Sequence, residues 1–570
     1  MVFLIKLNLK KMENQKNLLL AVIFSMIVLI GFDFLFNPKK NTNTSSNIEN
    51  DLITKDSSSD LPTITKTQNF SSTEVKQKRL NFFADRIEGS INLYGATLDD
   101  LILSDYFQTI KKEKKVRVLE KEDSTSPYFL RMGWASTDKS LELPGKNSLW
   151  VSEKNKISRG EKILLKWENK SGLKFLRSIS FDENFMITIE DEVLNQSKNT
   201  VELTNFSYIR RKNHRPENKF FILHEGPLGV FNDTLKEISY DDIEENEIIE
   251  SSKNGWIGYT DHYWQVAIFP DTEEPFKARF RKLKNSKDSI QIDFINENVK
   301  TLESGQKLKI KSYVFAGAKE VPLIDKYIEN LKVNKLDLSV DFGWFYFLTK
   351  PLFYALHFLS SLAQNFGIGI IILTIFMRIA LFPLANKSFK SMNAMRILTP
   401  EIKRIRERYK DDRNKMNQEM FALYRNKKIN PASGCLPILI QIPIFFALYK
   451  VLFVSIEMRH APFFGWIKDL SAPDPTSIFN LFGLVPWDPP LFLTIGIWPI
   501  LMGLTMYLQQ KLNPPPPDPI QAKIFLMLPF IFTFLLATFP SGMVVYWTVN
   551  NVLSIGQQYI LLKKQKKDNI

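Results

Sequence analysis

Long apolar runs at both ends of the chain enclose a middle region of different character. The first run covers residues 18–36 and is interrupted only by Ser25 and Asp33. Five further runs follow residue 340: 366–385, 435–456, 491–508, 524–539 and 542–562. At about 1.5 Å per helical residue, most of these runs are long enough for a hydrocarbon core of about 30 Å, although 524–539 is short. The pattern therefore predicts a helical polytopic membrane protein with six transmembrane helices.

The middle region changes from a polar segment to an alternating one. Residues 37–76 are rich in Asn, Ser, Thr and Lys, which is typical of a flexible linker. From 77 to 333 apolar and polar residues alternate, as in 185–190 and 289–294, which predicts a large antiparallel β-sandwich that ends in a helix over 322–333. Four tryptophans in this region could form a sugar or peptide site, but tryptophans in strands more often lie in the core: Trp134, Trp150, Trp256 and Trp264.

The distribution of basic residues gives the direction of the spans. Residues 1–17 are basic, 387–428 hold 13 Lys or Arg against 5 acidic residues, and 563–570 form a basic tail. The positive-inside rule places all three in the cytoplasm, which agrees with six spans and with residues 37–340 outside. Segment 341–365 is apolar enough to be another span, but counting it would reverse this orientation. We therefore interpret 341–365 as an amphipathic interfacial helix, and 18–36, which lacks a small-residue cleavage site, as an uncleaved signal anchor.

Composition excludes several classes of function. The net charge of +14 could indicate nucleic acid, but the basic residues crowd around the ends of apolar runs, where anionic lipids also attract them. A single cysteine, Cys435, excludes an intrachain disulfide and a CxxC site, and the five histidines form no HxxxH or HExxH pair. No GxxxxGK[ST] loop is present. We expect no metal, no cofactor and no specific nucleic acid beyond contact with a ribosome.

Arg378 is the most informative single residue, because it lies within the apolar run 366–385. It is nine residues before Lys387 at the predicted cytoplasmic border, a distance of about 13 Å along a helix. A charge near the bilayer centre costs about 2.5–3.5 kcal/mol, so the guanidinium should face water or a partner. A purely structural arginine that binds backbone carbonyls is the alternative.

Polar residues recur in two other spans. Trp547, Asn551, Ser554 and Gln558 fall on one face of the last span. Tyr546 and Asn550 form a neighbouring stripe there, and Gln441 and Tyr449 lie in 435–456. Each could be an interhelical hydrogen bond. Together they predict a polar intramembrane groove for a substrate, formed by the following residues: Arg378, Gln441, Tyr546, Trp547, Asn550 and Asn551.

The basic segment 386–430 has apolar residues at helical spacing in two arms, with Asp411 and Asp412 between them. This pattern predicts an antiparallel helical hairpin in the cytoplasm. A solvated loop is the alternative. We regard the hairpin as a docking element for acidic or RNA-rich partners such as a ribosome, with four candidate contacts: Lys403, Arg404, Arg408 and Arg413.

Three short stretches carry a resemblance to a known family. They are MENQKNLL at 12–19, GCLPILIQIPIF at 434–445 and FPSG at 539–542. They resemble the YidC-type membrane-protein insertases of the YidC/Oxa/Alb family, in the Gram-negative form with a large periplasmic domain. The leader 1–11 departs from the family pattern, so Met12 is a possible start.

The resemblance implies a fold and a function. Five of the six spans would form the insertase core, beside a periplasmic β-supersandwich. The protein would not be an enzyme, and would insert and fold nascent membrane proteins in the inner membrane, among lipids, alone or with the Sec translocon. Arg378 matches an essential arginine of the family, and Tyr546 and Trp547 match its aromatic groove positions.

Two other classes of protein remain as alternatives. A polytopic transporter or channel with a periplasmic ligand-binding domain also uses polar residues in its spans, but would favour inverted repeats or paired broken helices, which the sequence lacks. A membrane-anchored sugar-degrading enzyme would need paired carboxylates, and none can be assigned.

Overall fold

The computed structural model describes most of the chain after residue 77. The described ranges are 78–212, 223–270, 274–283, 289–331, 333–343, 345–427, 436–487, 489–490, 494–512 and 519–568. The predictions for the N-terminus 1–17, the signal anchor 18–36 and the linker 37–76 lie outside these ranges.

The described part of the chain between residues 79 and 318 forms two β-sheets. The strands are β1 Arg79–Phe83, β2 Ile87–Asn92, β3 Thr97–Phe107, β4 Lys115–Leu119, β5 Tyr128–Ala135, β6 Val151–Ser152, β7 Lys156–Ile157, β8 Ile163–Glu168, β9 Leu173–Phe181, β10 Met186–Asn195, β11 Val201–Lys212, β12 Gly226–Phe231, β13 Thr234–Glu237, β14 Ile248–Ser252, β15 Gly255–Thr260, β16 Trp264–Phe269, β17 Phe276–Lys282, β18 Ser289–Asn296, β19 Lys300–Leu302 and β20 Lys307–Ala318. A short helix, α1 Tyr240–Glu245, precedes β14.

The first sheet has 11 strands in the order β14-β17-β18-β11-β5-β3-β2-β1-β7, with β19 beside β11 and β4 beside β3. The second has 9 strands in the order β13-β12-β15-β16-β20-β10-β9-β8-β6. The described pairings are antiparallel apart from β1 with β7. The predicted antiparallel β-sandwich is thus confirmed as a pair of large sheets.

The alternation of residues along the strands places one face of each sheet in a shared apolar core. In β10, Ile187, Ile189 and Val193 are buried, while Glu190 between them is exposed, as a period of two requires. The tryptophans Trp134, Trp150 and Trp256 are buried in this core, and Trp264 packs against it half-buried. The interpretation as core residues is confirmed for Trp134, Trp150 and Trp256, whereas Trp264 lies half-buried against the core.

Nine further helices follow the sandwich in the described ranges. They are α2 Val321–Leu331, α3 Tyr346–Ala363, α4 Phe366–Ala380, α5 Phe382–Arg408, α6 Arg413–Asn426, α7 Leu436–Val454, α8 Ile497–Leu512, α9 Pro519–Leu536 and α10 Ser541–Asp568. Short 3-10 turns cover Leu336–Ser339, Ile456–Met458 and Leu481–Gly483. Most helices begin or end within a few residues of the predicted bounds, but the helix expected at 491–508 begins only at Ile497.

The helix predicted for 366–385 ends early and changes direction. It stops at Ala380, and α5 begins at Phe382 with Pro383 in its first turn. Proline has no backbone N–H and its ring clashes with the preceding turn, so α4 cannot continue through this position. No single described helix is both long enough and apolar enough to cross a bilayer. The consecutive segments Phe366–Ala380 and Phe382–Met395, with a bend of 60° between them, are long and apolar enough when taken together.

The loop after α7 ties the helices to the sandwich. Arg459 donates from Nη2 to the backbone oxygens of Phe107 at 2.6 Å and Gln108 at 3.2 Å, and its guanidinium lies 5.3 Å from the centre of the Trp264 ring. Nε2 of His262 lies 2.8 Å from the backbone oxygen of Phe453. Because a carbonyl oxygen can only accept, Nε2 donates at this contact, and burial lowers the pKa of His262 to about 4, so the ring is neutral.

Candidate functional site

Arg378 lies in the last turn of α4, the helix that begins the helical core. Asn365 caps the start of α4, because its side chain accepts a hydrogen bond from the backbone N–H of Ile368 at 3.1 Å. Gly367 and Gly369 follow, and a Cβ on Gly369 would lie 2.1 Å from Oγ of Ser360 in α3. Gly369 therefore permits the close approach of α4 to α3, whereas Gly367 permits a close approach to Phe463 in the loop after α7. At the other end, the partial negative charge of the helix C-terminus favours a cation such as Arg378.

The guanidinium of Arg378 is bound by a neutral side chain of α10. Nε donates to Oδ1 of Asn550 at 2.8 Å, and Nη2 donates to the backbone oxygen of the same residue at 3.3 Å. Among the described residues, no carboxylate lies within ion-pair distance of this guanidinium. The positive charge is therefore held in place without being neutralised. One of the two contacts is the backbone carbonyl that a structural arginine would use.

The first turn of α10 is bound to the loop after α7, and this contact sets the position of Asn550 along the axis of α10. The backbone N–H groups of Ser541 and Gly542 donate to the oxygens of Ala472 at 2.7 Å and Leu470 at 2.9 Å. The Ser541 hydroxyl also donates to Ala472 at 2.7 Å. These contacts satisfy donors that the first turn of a helix leaves free. The stretch 539–542, singled out in the sequence, is thus a docking point between α10 and the loop after α7.

A second polar contact lies one helical turn before Asn550. Nε2 of Gln441 in α7 donates to the hydroxyl of Tyr546 in α10 at 3.3 Å. Tyr546 and Asn550 are four residues apart and so share a face of α10. The structure therefore brings together Arg378, Gln441, Tyr546 and Asn550 where α4, α7 and α10 meet.

Trp547 lies beside this polar contact in an aromatic cluster. Its ring centre is 4.8 Å from that of Phe445 in α7 and 5.7 Å from that of Phe532 in α9. Tyr449 continues the cluster along α7, 6.5 Å from Phe445. The side of the site next to α9 is consequently apolar and half-buried.

Asn551 is not part of the Arg378 contact. Its Nδ2 donates to Oγ1 of Thr505 in α8 at 3.3 Å, and it is buried with Ser554 and Gln558 along α10. For Asn551 the structure therefore shows the interhelical hydrogen bond that the sequence left open as an alternative, whereas the Ser554 hydroxyl donates to the backbone oxygen of Asn550 within α10. Sequence periodicity grouped Asn551 with Trp547, but could not identify Thr505, because that pairing depends on how α8 packs against α10.

The candidate docking residues lie on the helical hairpin formed by α5 and α6. Lys403, Arg404 and Arg408 are exposed on α5, and Arg413 is the first residue of α6. Asp412 caps α6 by accepting from the backbone N–H of Lys415 at 3.0 Å. Leu398 and Ile402 are buried on the opposite face of α5. Three of the four candidate residues, Lys403, Arg404 and Arg408, are thus accessible on the surface of α5.

Comparison with known proteins assigns the family. Residues 79–355 match the family described as the YidC periplasmic domain, and residues 358–568 match the 60Kd inner membrane protein family. A membrane protein insertase YidC from Pelagibacter ubique (strain HTCC1062) is 42% identical over 563 residues, 97% of this chain and 99% of that protein. The chain belongs to the YidC family of membrane protein insertases. An insertase YidC from Rickettsia africae (strain ESF-5) has 42% identity over 557 residues, 97% of this chain and 99% of the relative.

Among solved structures, a crystal structure of an active YidC insertase with its first transmembrane domain resolved overlaps 85% of this chain. The overlap covers 93% of that structure, at 18% identity and a TM-score of 0.36.

Family membership decides the class of function. The protein is a membrane protein insertase of the inner membrane with a periplasmic domain, and is not an enzyme. Its substrates are nascent membrane proteins. The two alternatives that the sequence left open, a transporter or channel and an anchored sugar-degrading enzyme, have no support among these relatives.

Proposed function

We propose that client segments enter the membrane through a polar groove where α4, α7 and α10 meet, with Arg378 as the group that attracts them. The observation that carries this proposal is the contact of Arg378 with the neutral Asn550. A cation held by an amide keeps its full charge, whereas a cation paired with a carboxylate would not attract a client. Gln441 and Tyr546 extend the polar surface by one helical turn.

The mechanism follows from the cost of moving polar groups through hydrocarbon. Each charged residue of a translocated tail costs about 2.5–3.5 kcal/mol at the bilayer centre. A hydrated groove shortens the dry path, and Arg378 offsets part of this cost for acidic residues. The apolar segment of the client then leaves past Trp547 into lipid, where burial of apolar surface, at about 25 cal/mol per Å², drives release without a nucleotide.

A crosslinking experiment tests the groove. Ribosome-bound nascent clients would be presented to the protein with a photoreactive residue in place of Gln441. The matched control carries it in place of Leu535, an exposed residue of α9. We expect the client to crosslink to position 441 while its tail crosses the membrane. Equal crosslinking at both positions would argue against a defined groove.

The topology that accompanies this groove has six spans. We propose that 18–36, 366–385, 435–456, 491–508, 524–539 and 542–562 cross the membrane, five of them as the insertase core. Both termini and the hairpin 386–430 then lie in the cytoplasm, with 37–340 in the periplasm and α3 in the outer interface. Exposed Phe347, Phe358 and Leu362 on α3, with buried Phe353 on its other side, support an interfacial helix.

Single-cysteine labelling should confirm this topology. In a Cys435→Ser background, Ser126→Cys in the sandwich and Asn414→Cys in the hairpin both place a thiol at an exposed position. We expect an impermeant maleimide added to intact cells to label position 126 and not 414, because the basic hairpin stays in the cytoplasm. After the membrane is permeabilised, both should react. Labelling of position 414 in intact cells would contradict six spans.

The hairpin is the proposed contact for the ribosome, and the helical core for the Sec translocon. Lys403, Arg404 and Arg408 are exposed on α5, and Arg413 is the first residue of α6. Exposed basic residues of this kind bind phosphate backbones in a salt-dependent way. Changing all four residues to glutamine should weaken ribosome binding without altering α5, because glutamine is also a good helix former. Unchanged cosedimentation of the variant with ribosomes at low salt would exclude this role.

The sandwich should be largely dispensable for insertion, because the proposed groove residues all lie after residue 365. Helix α2 also keeps its own contact with α3, where Asp325 accepts hydrogen bonds from Lys350 and Tyr354. We therefore expect a variant that lacks 78–318 to insert clients at nearly the normal rate. Loss of insertion by a truncated protein that stays stable in the membrane would place the sandwich in the mechanism.

A further inference from the structure

The loop between α7 and α8 exposes an unusual amount of apolar surface near its centre. Residues 475–487 contain no charged side chain. Leu481, Phe482, Leu484 and Trp487 are between 45% and 83% exposed, and Leu484 is the most exposed of them. Side chains of this size in a protein loop usually turn inward or mark an interaction surface.

Residues 479–487, the first tip of this loop, form a turn that is held by backbone hydrogen bonds. The backbone N–H of Phe482 donates to the oxygen of Ser477 at 2.8 Å, and that of Val485 donates to the oxygen of Asn480 at 3.0 Å. Leu481 and Phe482 have φ values of 50° and 60°, a left-handed conformation that large side chains rarely adopt. The backbone at Leu481 and Phe482 is therefore strained, and in this conformation their apolar side chains remain exposed.

A second uncharged tip lies earlier in the same loop. Phe464 and Trp466 are 58% and 41% exposed on either side of Gly465, whose φ is 63°. The backbone N–H of Phe463 closes the turn by donating to the oxygen of Ile467 at 3.0 Å. No charged residue occurs between Ala461 and Ile467.

Asp474 joins the second tip, through Trp466, to the start of α8. Its Oδ1 accepts from Nε1 of Trp466 at 3.1 Å and from the backbone N–H of Thr476 at 3.0 Å. Its Oδ2 accepts from the backbone N–H of Trp498 at 2.9 Å. A Cβ on Gly496 would lie 2.4 Å from Cγ of Asp474, so the glycine permits this approach. One buried carboxylate thus fixes the tip that carries Trp466, and the backbone at Thr476 just before the other tip, relative to the helix.

We propose that both tips of this loop, 463–466 and 479–487, insert into the outer leaflet of the membrane and anchor the α7–α8 connection there. This inference rests on the proposed topology, which puts the loop on the periplasmic side. Exposed Leu501 and Leu504 on α8 continue the apolar surface toward the helical core. Aromatic residues such as Trp466 and Trp487 are enriched at the boundary between lipid and water.

The absence of charge favours lipid over a protein partner. A protein interface normally has a polar rim whose charges select the partner, whereas both tips consist of apolar and uncharged residues. A bilayer needs no such rim and accepts any apolar side chain at the depth of its acyl chains. The two tips would set how deeply the loop lies in the outer leaflet. Through the contacts of Asp474 with Trp466 and Trp498, the tip at 463–466 would also set the position of α8 along the membrane normal.

The test uses the full chain in vesicles of phosphatidylethanolamine and phosphatidylglycerol. In the Cys435→Ser background, Leu484→Cys and Phe464→Cys carry an environment-sensitive fluorophore, and Ser126→Cys is the matched control in the sandwich. We expect a blue-shifted emission at 484 and 464, quenching by lipids with a spin label in their acyl chains, and protection from aqueous iodide. The control should show the opposite behaviour.

Two results would overturn the proposal. The first is iodide quenching at 484 equal to that at 126, which would mean that the tips remain in water. The second is protection that disappears when the protein is diluted with excess lipid, which would mean that a second copy covers the tips. The maleimide labelling of 126 and 414 reports the topology independently, so a failure of the tips and a failure of the six-span arrangement can be distinguished.

Discussion

Replacing Arg378 by glutamate is expected to stop insertion of clients whose translocated tails carry acidic residues. The change converts an attractive charge into a repulsive one at the same place in the groove, and it removes the donors that bind Asn550. If Arg378 offsets about 2.5–3.5 kcal/mol for a charged client residue, the insertion rate should fall on the order of a hundredfold, at ~1.4 kcal/mol per factor of ten. The measurement is the rate of tail protection from protease in proteoliposomes.

Other substitutions of Arg378 separate its charge from its structural role. Arg378→Lys keeps a cation but loses the planar group that donates twice to Asn550, so it should retain substantial activity if attraction matters most. Arg378→Ala should fail nearly as strongly as the glutamate variant. Ile379→Ala is the matched control on the same turn of α4, because Ile379 is 63% exposed, and it should insert clients normally.

The charge of the client's translocated tail distinguishes attraction by Arg378 from a structural role of this residue. An otherwise identical client with a neutral tail should suffer much less from Arg378→Glu than the client with an acidic tail. If a stable Arg378→Glu protein inserts acidic tails at the normal rate, attraction by Arg378 is not the mechanism. If instead both tails fail equally and Arg378→Lys fails as well, the arginine acts through the contact with Asn550.

Removal of the Asp191 side chain should destabilise the sandwich more than any surface change. Arg177 and Asp191 are cross-strand neighbours on the core faces of β9 and β10. Nε and Nη2 of Arg177 donate to the two carboxylate oxygens at 2.7 and 2.8 Å. The side chain of Arg177 is only 2% exposed, so Asp191→Ala would leave a buried, uncompensated charge. Breaking such a pair costs about 3–5 kcal/mol.

Thermal unfolding, followed by the circular dichroism of the β-sheets, measures this effect. Glu153→Ala is the matched control, because Glu153 pairs with Lys166 on the surface, where ion pairs contribute little. The double variant Arg177→Met with Asp191→Leu should recover most of the lost stability, since an apolar pair of similar size replaces the ion pair. An unchanged melting temperature for Asp191→Ala would mean that water reaches Arg177 in the sandwich.

Local patterns in the sequence were enough to predict the sandwich, the basic helical hairpin and Arg378 at the candidate site. Apolar and polar residues alternate with a period of two along 77–333, which indicates sheets with one buried and one solvated face. This alternation is a local property of each strand. An arginine within an apolar run stands out for the same reason, because its cost depends on the surrounding hydrocarbon and not on any particular partner. Arg378 and Tyr546 thus required no knowledge of which helices meet.

Partners across helices required the tertiary structure. The sequence places Asn550 and Asn551 on neighbouring stripes of the last span, but it does not show that Asn550 binds Arg378 and Asn551 binds Thr505. The two residues are adjacent, and a rotation of about 100° along α10 separates their directions. Likewise, the sequence does not show that Arg177 and Asp191 form a pair. Only the register of β9 and β10 places the two residues opposite each other on the core face.

The sequence by itself determined the family, the class of function, the sandwich and the charged residue at the site. Each of these depends on composition, periodicity or a short motif read along the chain. Only the tertiary structure decided that Arg378 is held by a neutral amide of α10, and that Asp474 joins an apolar tip of the α7–α8 loop to the start of α8. The physical reason is that hydrogen-bond partners distant in sequence are chosen by helix packing and turn geometry, which no local pattern encodes.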